Sequence, residues 1–295
     1  MRVTEQMIFN NGVAQAQQSM QNLSQAQNQL SSGYRVVQPG DDPAASAQAI
    51  EDNVAEAQYT AIGNGAQQAA DELSVAGSAL QSVSTAASQA LQLATQYSNS
   101  TYTASERSAA ASQVTQIMQQ VVDLMNTTYD GRYVFGGFKD SSPPFAADGS
   151  YSGDDNIREV EIAPGLYQAA SVDANVIVKG SNGGVDLMTT LANLATALSS
   201  NDVTGISNAI GSLNTCVQQI ATGTAQVGVD QDGFQSAVTA SQAATENETE
   251  QIGNLMDADV MTASSQVSAA QYALDATLTA TAQTLNMTMS LTNQL

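Results

Sequence analysis

Apolar positions in this chain recur at spacings of three, four and seven over long stretches, which is the period of amphipathic helices. Near the start, Phe9, Val13, Ala16, Met20, Leu23 and Leu30 form a heptad-like stripe on a segment running from about Gln6 to Leu30. At the far end, Val260, Val267, Leu274, Leu278, Leu285 and Met289 do the same, with Thr281 in the intervening place. Between these apolar positions lie mostly Gln, Asn, Ser, Thr and Ala. A polar helix with one narrow stripe cannot build a core alone. The two ends are therefore predicted to pair, and these stripe residues are the predicted assembly interface.

Further helices follow from their start signals. Asp42 before Pro43 reads as an N-cap followed by proline at the first helical position. The helix it opens is predicted to bury Ala47, Ile50, Val54, Ala57 and Ala61, then Leu73, Ala76, Leu80, Val83, Ala87, Ala90, Ala94 and Tyr97. Gly63-Asn64-Gly65 in its path reads, by local rules, as a turn. Thr103-Ala104-Ser105-Glu106 is a capping box, opening a helix that buries Ala110, Val114, Ile117, Val121 and Leu124 and ends at Asp130-Gly131.

The period then changes. Arg132 to Phe138, Ile157 to Ile162 and Ser171 to Val178 read as strands separated by Pro, Gly and Asp clusters. Helices return at Val185 to Leu198, and again along Ile206, Ile210, Leu213, Val217, Ile220 and Val227, where Gly228 and Gly233 weaken but need not end the element. The fold class is mainly α: a nested antiparallel long-helix bundle whose two chain ends form a coiled coil, with a small β-rich insertion domain in the middle. The expected divisions are 1–35 with 258–295 as terminal segments, 36–131 with 185–257 as a helical rod, and 132–184 as the insertion. The insertion is expected to face outward and to be dispensable for assembly, its excision leaving export and the remaining helical fold intact.

Charge sharpens this layout. The chain of 295 residues carries 7 Lys and Arg against 28 Asp and Glu, a formal net charge of -21. Gln6 to Tyr34 holds no charged residue, and after Val260 there is only Asp275, so the acidity belongs to the middle. That balance argues against nucleic acid and anionic membrane as partners. No run of about 18 apolar residues suits a membrane span, and no apolar stretch after Arg2 reads as a secretory signal. Export, if it occurs, is expected to use no cleaved N-terminal signal.

Candidate chemistry is sparse. With no His, the chain lacks the commonest general base and the usual catalytic triads. Cys216 lies beside Leu213 and Val217 on an apolar stripe and reads as a structural thiol. Glu159 and Glu161 share a strand face and read as solvated. Neither the run from Asp148 to Asp155 nor Asp230-Gln231-Asp232-Gly233 matches a calcium-binding loop of the helix-loop-helix kind. Arg132 and Lys139 are expected to pair with Asp130 and Asp140. No catalytic, cofactor or metal site is expected.

Three sequence blocks carry a resemblance. Met1-Arg2-Val3-Thr4-Glu5-Gln6-Met7, and Leu30-Ser31-Ser32-Gly33-Tyr34-Arg35-Val36 leading into Asp41-Asp42-Pro43-Ala44, resemble the flagellin family. The Asp-Asp-Pro form, and the run from Gly131 to Lys139 followed by Pro144-Phe145, are similar to the members that join hook to filament. The resemblance implies a structural part of the bacterial flagellum, located outside the cell and exported through the flagellar type III apparatus. Its implied partners are copies of itself in a ring, a hook-associated protein proximally, flagellin distally, and a cytosolic export chaperone on the C-terminal segment. It also implies that the second helix runs straight through Gly63 to Gly65.

The alternatives are, within the resembled family, a minor flagellin that forms filament and, from another class, a secreted acidic coiled-coil adhesin. Many Thr and no Glu-Lys pairs leave the C-terminal segment with little intrinsic helicity. Both ends are therefore expected to order only on assembly.

Overall fold

The computed structural model describes the backbone of residues 2–292 and the side chains of residues 7, 9–284, 286 and 287. In chain order the elements are α1 (Arg2–Ser32), α2 (Pro43–Tyr97), α3 (Ala104–Met125), β1 (Thr128–Tyr129), β2 (Arg132–Tyr133), β3 (Glu159–Ala163), β4 (Leu166–Ala169), α4 (Ala174–Ile177), α5 (Leu187–Ser199), α6 (Val203–Met256) and α7 (Val260–Thr292). The mainly helical class with small two-stranded sheets in the middle is as the sequence predicts. Two compact units divide the chain: Met1–Gln58 with Ala244–Leu295, and Tyr59–Ala243.

The larger unit is cored by helices. Leu73, Leu80 and Val83 of α2, Val114 and Val121 of α3, Leu191 and Leu194 of α5, and Ile206, Leu213 and Ile220 of α6 are buried in one cluster. Small residues let α2 and α6 approach closely: a Cβ on Gly77 would meet Val227 Cγ1 at 3.5 Å. Buried Arg107 donates to the carbonyls of Tyr97 at 2.9 Å and Asn99 at 2.8 Å, and to Asn201 Oδ1, tying the α2–α3 turn to the α5–α6 turn. α2 passes unbroken through Gly63-Asn64-Gly65. Inside a long helix packed by tertiary contacts, the local cost of glycine, about 1 kcal/mol each, is overridden.

Caps fall where the sequence places them. Thr103 and Glu106 form the capping box of α3. The Asp42 carboxylate accepts from Ala45 N at 3.1 Å at the start of α2. At α5, by contrast, the sequence reading starts the helix at Val185, whereas the helix begins at Leu187 with Asp186 as its cap, accepting from Met188 N and Thr189 N.

The middle of the chain departs from expectation in four places. α3 stops at Met125, because Asn126 turns back to pair its side chain with the Phe145 backbone at 2.8 and 3.0 Å. Asp130 (φ 50) and Gly131 (φ 75) then form the two-residue turn of the β1–β2 hairpin. The predicted strand over Ser171 to Val178 is instead the one-turn helix α4, since the Asp173 carboxylate caps Val176 N and outweighs the β-branched run. The strand that pairs with β3 is β4, an antiparallel neighbour across Pro164-Gly165. Phe135, Phe145, Val172 and Val178 of this middle segment are buried in the same cluster as the helices.

The predicted inward face of early α2 is also reversed. Ala47, Ile50, Val54, Ala57 and Ala61 are all exposed, Ile50 by 63% and Val54 by 66%. Inward lie Ala45, Ser46, Ala49 and Asp52. Both faces repeat at helical spacing, so periodicity alone could not choose between them.

Candidate assembly surface

The smaller unit is built on α1 and α7, which pack antiparallel. Their register is set by Gly12 facing Thr281, by the hydroxyls of Ser19 and Thr277 at 3.4 Å, and by Ala258 N donating to Gly33 O at 2.8 Å. The inward positions are Gly12, Ala16, Ser19, Leu23 and Ala26 on α1, and Ala263, Val267, Ala270, Leu274, Thr277, Thr281 and Thr284 on α7. Alternating spacings of four and three make this a heptad seam. Its residues are mostly small or hydroxylated, so the helices approach closely and little apolar area is buried.

The predicted stripe residues divide between two locations. Ala16, Leu23, Val267 and Leu274 sit half-buried in the seam. Phe9, Val13, Met20, Leu30, Val260 and Leu278 are exposed, Met20 by 60% and Val260 by 64%. The side chains of Leu285 and Met289 lie outside the described residues. The seam is thus rotated from the stripe the sequence suggests, because Gly12, Ser19 and the threonines take the inward places.

The exposed set has a geometry of its own. Val13 and Met20 follow the seam residues Gly12 and Ser19 by one, and Leu278 follows Thr277 by one, a rotation of about 100°. Phe9 and Val260 precede Gly12 and Ala263 by three, which is about 60° in the same sense. In two antiparallel right-handed helices, the same rotation from the seam leads to the same side of the pair. Phe9, Val13 and Met20 therefore share one face with Val260 and Leu278. The register places Leu278 between the levels of Val13 and Met20. Met7, Met261 and Tyr272 are exposed on other sides.

This helix pair is anchored by the block that carries the family resemblance. Gly33 takes φ 77, the left-handed conformation that ends α1. Arg35 N donates to Met256 O at 2.6 Å, and the Arg35 guanidinium donates to Leu255 O at 2.8 Å and to Asp42 at 3.1 Å. Asp41 accepts from the amides of Val37 and Gln38 at 3.1 and 2.9 Å. Val36 is buried. At the facing break between α6 and α7, Asp259 caps Met261 N at 2.9 Å. The amide of Ala45 first, then Arg35, holds the Asp42 carboxyl below its ordinary value, and the amides of Met261 and Thr262 do the same for Asp259. That break, Asp257 to Asp259, has no strong local signal beyond the Asp at the cap.

The other singled-out residues occupy structural places. Cys216 is buried, its thiol 3.6 Å from Val185 O, and burial pushes it up to about 11. Arg132 pairs with Asp140 at 3.7 Å, and Lys139 reaches Ser152 O at 3.5 Å. Glu161 accepts from Gly165 N at 2.8 Å in the β3–β4 turn. The Asp148 carboxylate closes a local turn on Ser150 N at 2.9 Å, and Asp230 to Gly233 lie within α6. Among the described residues no group of three or more His, Cys, Asp or Glu is placed to hold a metal, and no helix is long and apolar enough to cross a membrane.

Comparison with known proteins agrees with this architecture. Residues 3–140 match the bacterial flagellin N-terminal helical region. Flagellar hook-associated protein 3 of Escherichia coli is 33% identical over 162 residues, covering 52% of this chain and 49% of that protein. The Salmonella typhimurium protein of the same name is 32% identical over 155 residues, with the same coverage. The chain thus spans about half the length of the curated relatives it matches. Among solved structures, FlgL of Bacillus cereus superposes with TM-score 0.55 at 23% identity, over 68% of this chain and 99% of that one. The resemblance to the flagellin family read from the first two blocks is therefore upheld, and within it the resemblance to hook-associated protein 3.

Proposed function

We propose that this chain, a flagellin-type protein across residues 3–140, is a structural adaptor of the bacterial flagellum that joins the hook-associated ring to the flagellin filament. One observation carries the reading. The α1–α7 pair buries mostly small or hydroxylated residues against itself, with Leu23, Val267 and Leu274 among them, and turns Phe9, Val13, Met20, Val260 and Leu278 outward on one face. Burying large apolar side chains yields more than burying Gly, Ala and Ser, about 25 cal/mol per Å² of apolar surface. A helix pair built to stand alone would pack the large residues inside. One built to join neighbours presents them. The names of the relatives, flagellar hook-associated protein 3, support the same assignment.

In this reading the terminal segments, 1–35 and 258–295, form the axial core by packing against copies of the chain in a ring. Residues 36–131 with 185–257 form the helical rod, and 132–184 the β-rich insertion. A hook-associated protein contacts the ring proximally and flagellin distally. Before export, a cytosolic chaperone covers the C-terminal segment, so the outward stripe is masked until assembly. The protein acts outside the cell, has no catalytic role and needs no cofactor. The absence of charge from Gln6 to Tyr34 lets identical ends converge without like-charge repulsion.

The test is genetic and biochemical. A strain lacking the gene should keep its hooks, lose its filaments and release flagellin into the medium. The wild-type gene should restore filaments. A strain that makes normal filaments without the chain would overturn the proposal, and purified chain that grows long filaments alone would make it a minor flagellin.

A further inference from the structure

Early α2 carries a second outward apolar face, distinct from that of the α1–α7 pair. Ala47, Ile50, Val54 and Ala57 lie on one side of the helix, all exposed. Opposite them the helix buries Ala45, Ala49 and Asp52. The buried side is the poorer one. Gln48 Nε2 donates to Asp52 Oδ1 at 2.7 Å, but Asp52 Oδ2 is buried with no hydrogen-bond partner among the described residues. Helix burial driven by this chain alone would put Ile50 and Val54 inside and leave Asp52 in water.

We propose that the Ala47–Ile50–Val54–Ala57 face of α2 docks on a second copy of this chain within the assembled ring. This rests on the assembly reading above and adds a second contact to it. Two observations select the occupant. The chain is strongly acidic, with net charge -21, yet of the carboxylates in this part of α2, Glu51, Asp52 and Glu56, helical spacing puts only Glu51 beside the exposed face. A cationic partner would be recognised by carboxylates, whereas another acidic copy can approach only where carboxylates are few. The second observation is size. Four residues over about 16 Å of helix expose on the order of 300 Å² against the roughly 800 Å² per partner of a stable interface. A face this small cannot hold a free dimer. It gains strength when the terminal helices have already set copies side by side, which makes the contact intramolecular in effect.

Photocross-linking tests this in intact flagella. A photoreactive amino acid is placed at position 50 or 54 of the full chain, and function is first checked by filament formation. The expected adduct contains two copies of this chain, forms in assembled flagella and is absent from the purified soluble chain at the same concentration. An adduct with a different protein, or none, would overturn the proposal. In parallel, Ile50→Glu with Val54→Glu is expected to melt within about 2 °C of wild type and to reduce filaments per cell at least tenfold, while Ile50→Leu with Val54→Ile retains them. Filaments at wild-type number with the double Glu variant would also overturn it, and would leave the terminal-helix reading standing. Failure of the wild-type chain to support filaments would count against that earlier reading instead.

Discussion

A Cβ placed on Gly12 would lie 2.7 Å from Thr281 Cγ2, closer than any real side chain tolerates. This one contact fixes how near α1 and α7 can come. Gly12→Val is expected to push the helices apart and destabilise their pairing by about 1–3 kcal/mol, the usual cost of overpacking. Gly12→Ala should cost less, and Thr281→Ser in the Gly12→Ala background should recover most of the loss by removing Cγ2. Amide hydrogen exchange across α1 and α7 reads the effect. Equal exchange in wild type and Gly12→Val would show that the close approach is not limiting.

Arg35 links the end of α1 to the last turn of α6 through a fork that lysine cannot reproduce. Arg35→Lys keeps the charge, but one ammonium cannot span Asp42 and the Leu255 carbonyl in the same geometry. Amide exchange at Val36 and Ala258 is expected to rise roughly tenfold, while exchange in α3 and α5 stays unchanged. Unaltered protection at both amides would show that the backbone bonds to Met256 and Gly33 suffice alone.

Acid should loosen the same junction. Asp42 and Asp259 both titrate below their ordinary value of 3.8 in the folded chain. A depressed value means that their contribution is complete above the unfolded value and is lost as pH falls through the folded one. Protection in the first turns of α2 and α7 should hold down to about pH 4 and decline below it. Asp42→Asn with Asp259→Asn keeps cap acceptors but removes their titration, so the decline should flatten. A decline equally steep in the Asn variant would assign it to other carboxylates.

Cys216 is expected to be chemically quiet. Raising its thiol from 9.0 to about 11 makes the thiolate about a hundredfold scarcer near neutral pH, before steric protection is counted. Alkylation of the folded chain by a polar reagent should therefore be at least about a hundredfold slower than of the denatured chain. Cys216→Ala should leave filament formation intact. Labelling of the folded chain at the denatured rate would place the thiol at the surface.

Removal of residues 141–182 is now expected to fail as a neutral deletion. Phe145, Val172 and Val178 are buried with the helices, and Arg158 pairs with Glu72 of α2. Losing the Phe145 ring alone is worth about 3–5 kcal/mol, and Glu72 would remain without its cation. Thermal unfolding of the excised chain should shift down sharply or lose cooperativity. Shortening only the exposed turn at Pro164 and Gly165 should be nearly neutral. An excised chain that melts like wild type would restore the sequence expectation of a separable insertion.

Elements with strong local signals were legible from the residues alone. Asp42-Pro43 and the Thr103–Glu106 box each act within one helical turn, so neighbours in sequence suffice to determine them. The long apolar repeats fixed α2, α3 and α6 because every turn there contributes the same preference. The middle segment was harder, since one capping carboxylate, Asp173, decides between helix and strand for a short β-branched run.

What the sequence could not determine was which side of a helix faces inward when both sides carry apolar residues. On α1, where Ala16 and Leu23 are inward as the stripe predicts, the choice lay between Phe9, Val13 and Met20 and the smaller Gly12 and Ser19. On early α2 it lay between Ile50 and Val54 and the smaller Ala45 and Ala49. A rule that buries the largest apolar residues chooses the first set in each case, and the tertiary structure buries the second. The physical reason lies in the partner helix. Gly12 fits against Thr281, and Ser19 meets Thr277, only at a close approach that larger side chains would prevent. Local pattern established that the long helices form and, at the strong caps, where they begin, while on α1 and α7 the fit between segments more than two hundred residues apart decided which faces turn inward.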